Sequence, residues 1–374
     1  MKNKKSKKTT KVFVGMSGGV DSSVAAYLLK KQGYDVTGIF IKCFNIDGCA
    51  ERDAEDARRV AEHLGIPFHT FDFEKEYKKR VVEYMIDGYK NGITPNPDVM
   101  CNKEIKFGMF LDRALSLGAD YVATGHYVRL REKSQITNNK LQINSKSSLW
   151  IARDTNKDQS YFLWTLTQDQ LKHSLFPIGD YTKPQVRDIA KKVKLPTAEK
   201  KDSQGICFLG DISVSDFLES YIKSKKGKIV TVDGDVIGEH KGAEFYTIGQ
   251  RHLGISNIKY QKSKSGGNRK PYYVVSKDVK KNIVVVAEGS ENIELFKKEV
   301  GLINVHFINT EILNTSVLAR VRYRQPTSEA RIIKKNKNEY ALTFKKPQKF
   351  IAPGQSAVFY TKKMEMLGGG IIKQ

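Results

Sequence analysis

Residues 11–27, KVFVGMSGGVDSSVAAY, limit what this chain can fold into more than any other stretch. A short β-rich run, Val12-Phe13-Val14, stops at Ser17-Gly18-Gly19-Val20-Asp21-Ser22, and a helical pattern begins at once. A strand, a tight glycine turn and a helix start make an anion site. The first backbone N–H groups of a helix lack partners inside it, and its dipole favours negative charge. Two adjacent glycines let those N–H groups turn toward one oxyanion with no Cβ in the way. Ser17 and Ser22 add hydroxyl donors, and Asp21 is suited to holding a magnesium ion against phosphate. The turn is not a Walker loop, because no G-x-x-x-x-G-K-[ST] is present.

Beyond the turn, strand and helix patterns alternate. Helices are predicted over 22–32, 51–64, 75–90 and 105–117, with strands over 34–42, 66–73 and 120–127. Strands separated by helices pair in parallel, so an α/β fold with a doubly wound parallel sheet is expected. Ligands in such sheets lie at the carboxyl ends of the strands, where the Ser17–Ser22 turn and Gly125-His126 both fall. Residues 131–148 read as a polar hairpin or insertion, and helical material returns near 160–172 and 183–193. From Lys228 onward come short strands at regular spacing with glycine and lysine turns, expected to build a small central domain and then a C-terminal β-barrel. The expected division is a disordered basic tail over 1–10, a nucleotide-binding catalytic domain over 11–208, a central domain over 209–276 and the barrel over 277–374.

The formal net charge of +23, from 64 Lys and Arg against 41 acids, is spread along the chain and marks a partner that is a polyanion, RNA or DNA foremost. No apolar run approaches the ~20 residues a membrane span requires, so no membrane partner is expected. The start, MKNKKSKKTT, has neither the apolar stretch of a secretory signal nor an arginine-rich amphipathic pattern, so a cytoplasmic location is expected. The four cysteines lie far apart, as in a protein of a reducing compartment. Cys43 and Cys49 have neither C-x-x-C spacing nor a histidine in range, so no zinc or iron–sulfur site is predicted.

Two further blocks carry chemistry. In Asn96-Pro97-Asp98-Val99-Met100-Cys101-Asn102 the prolines before Asp98 fix an extended turn, and Asp98 and Cys101 share one face of the helix turn that follows. A thiolate there is a strong nucleophile, and the neighbouring carboxylate can move protons. Alone, Cys101 would read as a small buried apolar residue and Asp98 as a helix cap. Asp202-Ser203-Gln204-Gly205-Ile206-Cys207-Phe208 is a polar glycine turn ending in a second thiol, which alone would read as structural.

SGGVDS resembles the pyrophosphate loop of enzymes that cleave ATP between its α and β phosphates. GMSGGVDS (15–22), NPDVMCN (96–102), ATGHY (123–127), KDQSYFLW (157–164), DSQGICF (202–208), YTIGQRHLG (246–254), RVRYR (320–324) and PGQSAVFY (353–360) stand in the order found in the tRNA-specific 2-thiouridylases. The chain departs from that family in its lysine-rich N-terminus, in the length of 131–148 and in Ile41, where methionine is common.

The resemblance implies an adenine nucleotide alpha hydrolase-like domain that binds ATP through Gly15, Met16, Ser17, Gly18, Gly19, Val20, Asp21, Ser22, Ile41 and Gly125, with Mg²⁺ as cofactor. It implies that the 2-oxygen of a tRNA wobble uridine is adenylated, and that sulfur arrives as a persulfide on Cys207 from a donor such as a cysteine desulfurase or sulfur-relay protein. Cys101 completes the transfer, either by reducing that persulfide to free hydrosulfide or by assisting the intermediate, with Asp98 as proton carrier; oxidation is expected to give a Cys101–Cys207 disulfide. Asn96, Pro97 and Asp98 are implied to meet the target base, with His126, Lys157, Asp158, Gln159, Arg322, Tyr323 and Gln355 as tRNA contacts around it. The enzyme is expected to be a monomer. Two alternatives remain open on the residues: an ATP-pyrophosphatase that adenylates a small acid, and a non-catalytic RNA-binding protein.

If Arg322 and its neighbours meet phosphates, log affinity for tRNA will fall with log salt at a slope of about −0.7 to −0.9 per phosphate neutralised. A filter-binding titration over a range of salt checks this. A flat response would mean that the positive charge is compositional only.

Overall fold

In the computed structural model, residues 9–44, 46, 48–136, 143–202, 205, 208–210, 212–253 and 270–374 are described. They divide into two units, one drawn from 1–81, 98–211 and 363–366, the other from 82–97, 212–362 and 367–374.

The first unit contains strands β1 (Lys11–Gly15), β2 (Asp35–Lys42), β3 (Phe68–Asp72) and β4 (Tyr121–Thr124), the hairpin β5 (Val128–Ile136) and β6 (Ile143–Ile151), and β7 (Ser174–Leu175). Five strands form one parallel sheet in the order β3-β2-β1-β4-β7. The order reverses between β1 and β4, and such reversals open a crevice at the carboxyl ends of the strands. Val12, Phe13 and Val14 are all buried, as a strand covered on both faces requires. Helix α1 (Val20–Lys31) lays Val24, Ala25 and Leu28 into the core, and α2 (Cys49–Leu64) adds Ala57, Val60 and Ala61. The polar insertion is a hairpin, paired from Val128↔Ile151 to Ile136↔Ile143.

Three helical predictions differ in detail. The helix expected over 75–90 is Glu74–Tyr77, a π-helical Lys78–Val82 and Glu83–Lys90, and the wider turn lets adjacent Val81 and Val82 both be fully buried. The helix expected from 105 already starts at Pro97, a residue suited to a first turn. It runs as Pro97–Met100, a π-helical Cys101–Met109 and Phe110–Ser116. The 160–172 segment is a 3₁₀ turn, Ser160–Phe162, and a short helix, Gln168–Lys172, because Thr167 and Gln170 form a capping box that starts the second piece.

In the second unit, β8 (Gly227–Thr231), β9 (Val236–His240), β10 (Tyr272–Asp278) and β11 (Ile283–Glu288) form a sheet ordered β10-β11-β8-β9, which therefore runs past residue 276. Strands β12 (Phe296–Phe307), β13 (Thr315–Arg320), β14 (Ser328–Lys334), β15 (Glu339–Lys349), β16 (Ser356–Tyr360) and β17 (Met366–Ile372) close into a barrel in the order β12-β15-β14-β13-β16-β17. Leu302, Val317, Ala319, Ile332, Leu342 and Phe359 fill it. Among the described residues no helix is long and apolar enough to cross a membrane.

Gly179 is fixed by backbone proximity, since a Cβ there would stand 1.9 Å from the Val128 carbonyl oxygen. Gly179→Ala will lower stability by about 1–3 kcal/mol, the usual range for forced overpacking, read as a drop in unfolding midpoint. An unchanged midpoint would contradict the close approach.

Candidate functional site

The turn after β1 is shaped by its own hydroxyls. The Ser17 N–H donates to Ser22 Oγ at 3.1 Å, and the Ser22 and Ser23 hydroxyls donate to the Gly19 carbonyl at 3.2 and 2.7 Å. Gly18 has φ +71°, and a Cβ there would meet the Asp53 carbonyl oxygen at 2.3 Å. Gly19 begins α1 with no side-chain cap, so the first turn directs backbone N–H groups outward. The end of β4 is pressed against this turn: a Cβ on Gly125 would lie 2.6 Å from the Ser22 nitrogen. Met16 is buried, and Ile41 Cδ1 lies 3.7 Å from where a Cβ on Gly15 would stand, at the adjoining ends of β1 and β2.

Asp21 is the first member of a chain of charges. Its Oδ1 accepts from the Tyr127 hydroxyl at 2.8 Å, and the Lys183 ammonium donates to Oδ1 and Oδ2 at 2.8 and 2.9 Å. Lys183, at the first position of helix α3 (Lys183–Lys192), also pairs with Asp202 at 2.7 Å, and Lys157 and Arg187 reach the same carboxylate at 2.6 and 2.8 Å. Burial alone would raise the Asp202 carboxyl, but hydrogen bonds from Lys157 and Lys183 outweigh it and hold the group at about 2. Burial pushes the Tyr127 phenol far up and the Asp21 charge reinforces this, so Tyr127 stays a donor. Neither Tyr127 nor Lys183 was anticipated: a lone lysine 162 residues from its partner carries no local signal.

Among the described residues no group of three His, Cys, Asp or Glu is placed to hold a metal. Magnesium needs less, since it commonly binds through one or two carboxylates together with substrate phosphates and water. Asp21 fits that requirement, because among the described residues Oδ2 receives only Lys183 and a carboxylate oxygen has two lone pairs.

Cys101 is buried, at 6% exposure, one helical turn beyond Asp98. Burial pushes the Asp98 carboxyl above its ordinary range, with Lys106 opposing. Asn102, the last residue of that block, donates from Nδ2 to the Asp98 carbonyl at 3.0 Å; its buried Oδ1 has no hydrogen-bond partner among the described residues. Cys207, and with it the expected disulfide, lies outside the described residues.

The residues expected to meet RNA are divided between the two units. Asp98, His126, Lys157, Asp158 and Gln159 belong to the first, and Asn96, Pro97, Arg322, Tyr323 and Gln355 to the second. Several serve the interior. His126 is held by Thr124 at 2.8 Å beside Phe107 and Phe176, and burial pushes its imidazole well down, so it is neutral. The Asp158 carboxylate accepts from the Ala152 and Ser160 N–H groups and the Ser160 hydroxyl. Gln159 accepts from the Tyr127 N–H. In the second unit the Arg322 guanidinium lies 5.8 Å from the centre of the Phe350 ring, and Gln355 donates to backbone carbonyls of the 94–95 stretch.

Three family models match in succession: one described as "tRNA methyl transferase HUP domain" over residues 10–211, a "tRNA methyl transferase PRC-barrel domain" over 215–288 and an "Aminomethyltransferase beta-barrel domain" over 297–372. Full-length relatives are named for a different transfer. The chain is 48% identical to the tRNA-specific 2-thiouridylase MnmA of Proteus mirabilis (strain HI4320), over 97% of each chain. It is 46% identical to that of Streptococcus thermophilus (strain CNRZ 1066), over 98% of this chain and 95% of the relative. With the Salmonella typhimurium (strain LT2) protein of the same name, identity is 48% over 97% of each.

The Asp202 charge cluster predicts an acid-sensitive component of stability. A folded carboxyl held at about 2, below its ordinary 3.8, stabilises fully above the ordinary value and loses that contribution as pH falls toward 2. Discounted for its partial exposure, the loss amounts to about 1 kcal/mol. Urea unfolding of wild type and Asp202→Asn over this range will show the dependence reduced in the variant. Identical curves would contradict the pairing.

Proposed function

The chain belongs to the tRNA-specific 2-thiouridylase family, and from that membership we propose that it replaces the 2-oxygen of a tRNA wobble uridine with sulfur, using ATP as co-substrate. The observation that carries this reading is the phosphate turn: uncapped N–H groups of α1, a glycine approach from β4, and Asp21 held by Lys183 beside them. Small-acid synthetases would need such a turn as well, but not a +23 chain with a thiol one helical turn from a carboxyl of raised pKa.

The uracil 2-oxygen attacks the α-phosphorus, the bond to the departing pyrophosphate breaks, and the turn receives that anion. Lys183 and the α1 N–H groups oppose the charge that grows there. Asp21 would hold magnesium with the phosphates, and the ion would supply charge shielding when bound. Asp98 takes the proton released from the base, and a raised pKa suits a group that must both accept and return it.

A donor protein, a cysteine desulfurase or sulfur relay, loads Cys207 as a persulfide. The Cys101 thiolate attacks the inner sulfur, closing a Cys101–Cys207 disulfide and releasing hydrosulfide, which adds at C2 and expels AMP. An external thiol then reopens the disulfide. Lys157, Gln159, Arg322 and Tyr323 are proposed as tRNA contacts, with the barrel as the larger RNA surface. The enzyme is proposed to work as a cytoplasmic monomer.

Pyrophosphate release will require tRNA; dependence on a small acid would instead select another adenylating enzyme. Cys101→Ser and Cys207→Ser will each abolish 2-thiouridine while retaining tRNA-dependent pyrophosphate release, and only Cys207 will take up reductant-labile sulfur. Asp98→Asn will lower the adenylation rate by about 10²–10⁴-fold. It will also remove an acidic limb of the pH–rate profile that lies above the usual aspartate range, because the base must be ionised to act. A fully active Cys207→Ser enzyme would overturn the two-thiol mechanism.

A further inference from the structure

Within the second unit, the end of β13 and the turn after it carry three arginines, and each lies over an aromatic ring. Arg320 is 5.0 Å from the centre of the Tyr360 ring, Arg322 5.8 Å from that of Phe350, and Arg324 5.2 Å from that of Tyr323. The rings differ in origin. Tyr360 is buried in the barrel wall on β16, where Arg320 is buried with it, and Tyr323 is the chain neighbour of Arg324. Phe350 comes from the connection that follows β15, and of the three ring-bearing residues it alone has a left-handed backbone, with φ +57°.

A positive φ crowds the Cβ of a bulky residue against its own backbone, so an aromatic residue keeps this conformation only where its surroundings enforce it. Three neighbours do so here. The Phe350 N–H donates to the Leu295 carbonyl at 3.0 Å. The side chain rests on Gly249, where a Cβ would stand 2.6 Å from both Phe350 Cβ and Cγ. Gly249 is fixed in turn by its N–H, which donates to the Val274 carbonyl at 2.8 Å. Tyr273, on β10 beside Val274, stacks on the Phe350 ring at 5.6 Å with 24° between the planes. Phe350 is half-buried and stands apart from the residues that fill the barrel, so core packing does not account for the strain. A guanidinium over a ring is engaged through its face, and its N–H donors lie in the plane at its edge, the geometry that grips a phosphate with two bonds at once.

We propose that Phe350 is a positioning residue for RNA binding: its ring holds the Arg322 guanidinium in the orientation in which it meets a tRNA phosphate. This rests on the tRNA reading above, in which Arg322 is a contact. A long arginine side chain gives up many rotamers when it binds, and a ring that already selects one removes part of that entropy loss from the encounter. The effect therefore falls on affinity and not on the rate of the bound complex.

The test is a double-mutant cycle in the full-length protein with Phe350→Asn, Arg322→Ala and both together. Asparagine tolerates the left-handed conformation, so that variant loses the ring without added strain, whereas Phe350→Tyr keeps the ring. Filter binding gives tRNA affinity, and pyrophosphate release is followed at saturating tRNA. Arg322→Ala is expected to weaken binding about 10-fold and to flatten the salt slope by about 0.7–0.9. Phe350→Asn will weaken binding about 5-fold when Arg322 is present, but change it by less than about 2-fold when residue 322 is alanine. Phe350→Tyr will bind within about 2-fold of wild type, and Phe350→Asn will release pyrophosphate at saturation within about 2-fold of the wild-type rate. Equal losses from Phe350→Asn with and without Arg322, or a tyrosine variant as weak as the asparagine one, would overturn the proposal and leave Phe350 a packing residue. Wild-type affinity in Arg322→Ala would overturn it too, while leaving thiolation intact. A wild-type protein that binds no tRNA would refute the tRNA reading itself and the proposal with it.

Discussion

The proposed nucleotide site depends on one backbone contact, the approach of Gly125 to the first turn of α1. No side chain fits between them, because a Cβ on Gly125 would stand 2.6 Å from the Ser22 nitrogen. That contact places the end of β4 beside the turn after β1, at the point where the strand order reverses. Tyr127, two residues on, thereby reaches Asp21, and the same carboxylate recruits Lys183 from α3. Lys183 passes the connection to Asp202, the first residue of the block that contains Cys207. A half-buried aspartate beside a phosphate turn would be repelled by its own ligand, and a paired ammonium at 10% exposure removes that repulsion where water cannot.

A second constraint acts on the block proposed to carry the nucleophile. Asp98 and Cys101 lie on a helix that begins at Pro97 and turns π-helical at Cys101, an irregularity that often accompanies functional positions. Burial of Asp98 raises its pKa, giving a carboxyl able to exchange a proton nearer neutrality than a solvated one. The approach to that helix gains its order from outside, through Gly88, Thr247, Pro353 and Gln355. Thus the barrel, which composition marks only as a basic all-β region, also holds the 94–95 backbone within its own unit.

The parallel sheet was legible because strand runs and glycine-closed helices alternate with little ambiguity, and the phosphate turn because its glycines and hydroxyls lie within six consecutive residues, 17–22. The blocks at 96–102 and 202–208 were legible as chemistry only through resemblance, since lone cysteines carry no signal. What escaped notice is non-local. Lys183 and Asp21 are 162 residues apart, and the Gln355–Thr94 contact spans 261, so no pattern in a window could join either pair. The two-residue strand β7 is too short to show a period. The partners that bury His126 and Asp158 could likewise not be read from the motifs that contain them.

The most direct test of the central claim is mass analysis of anticodon nucleosides after tRNA is incubated with the enzyme, ATP, magnesium and a persulfide-charged sulfur donor. The account predicts 2-thiouridine, in which sulfur replaces oxygen, formed in step with AMP and pyrophosphate and absent without ATP. A nucleoside carrying an added methyl group, or thiolation that proceeds without ATP cleavage, would contradict it.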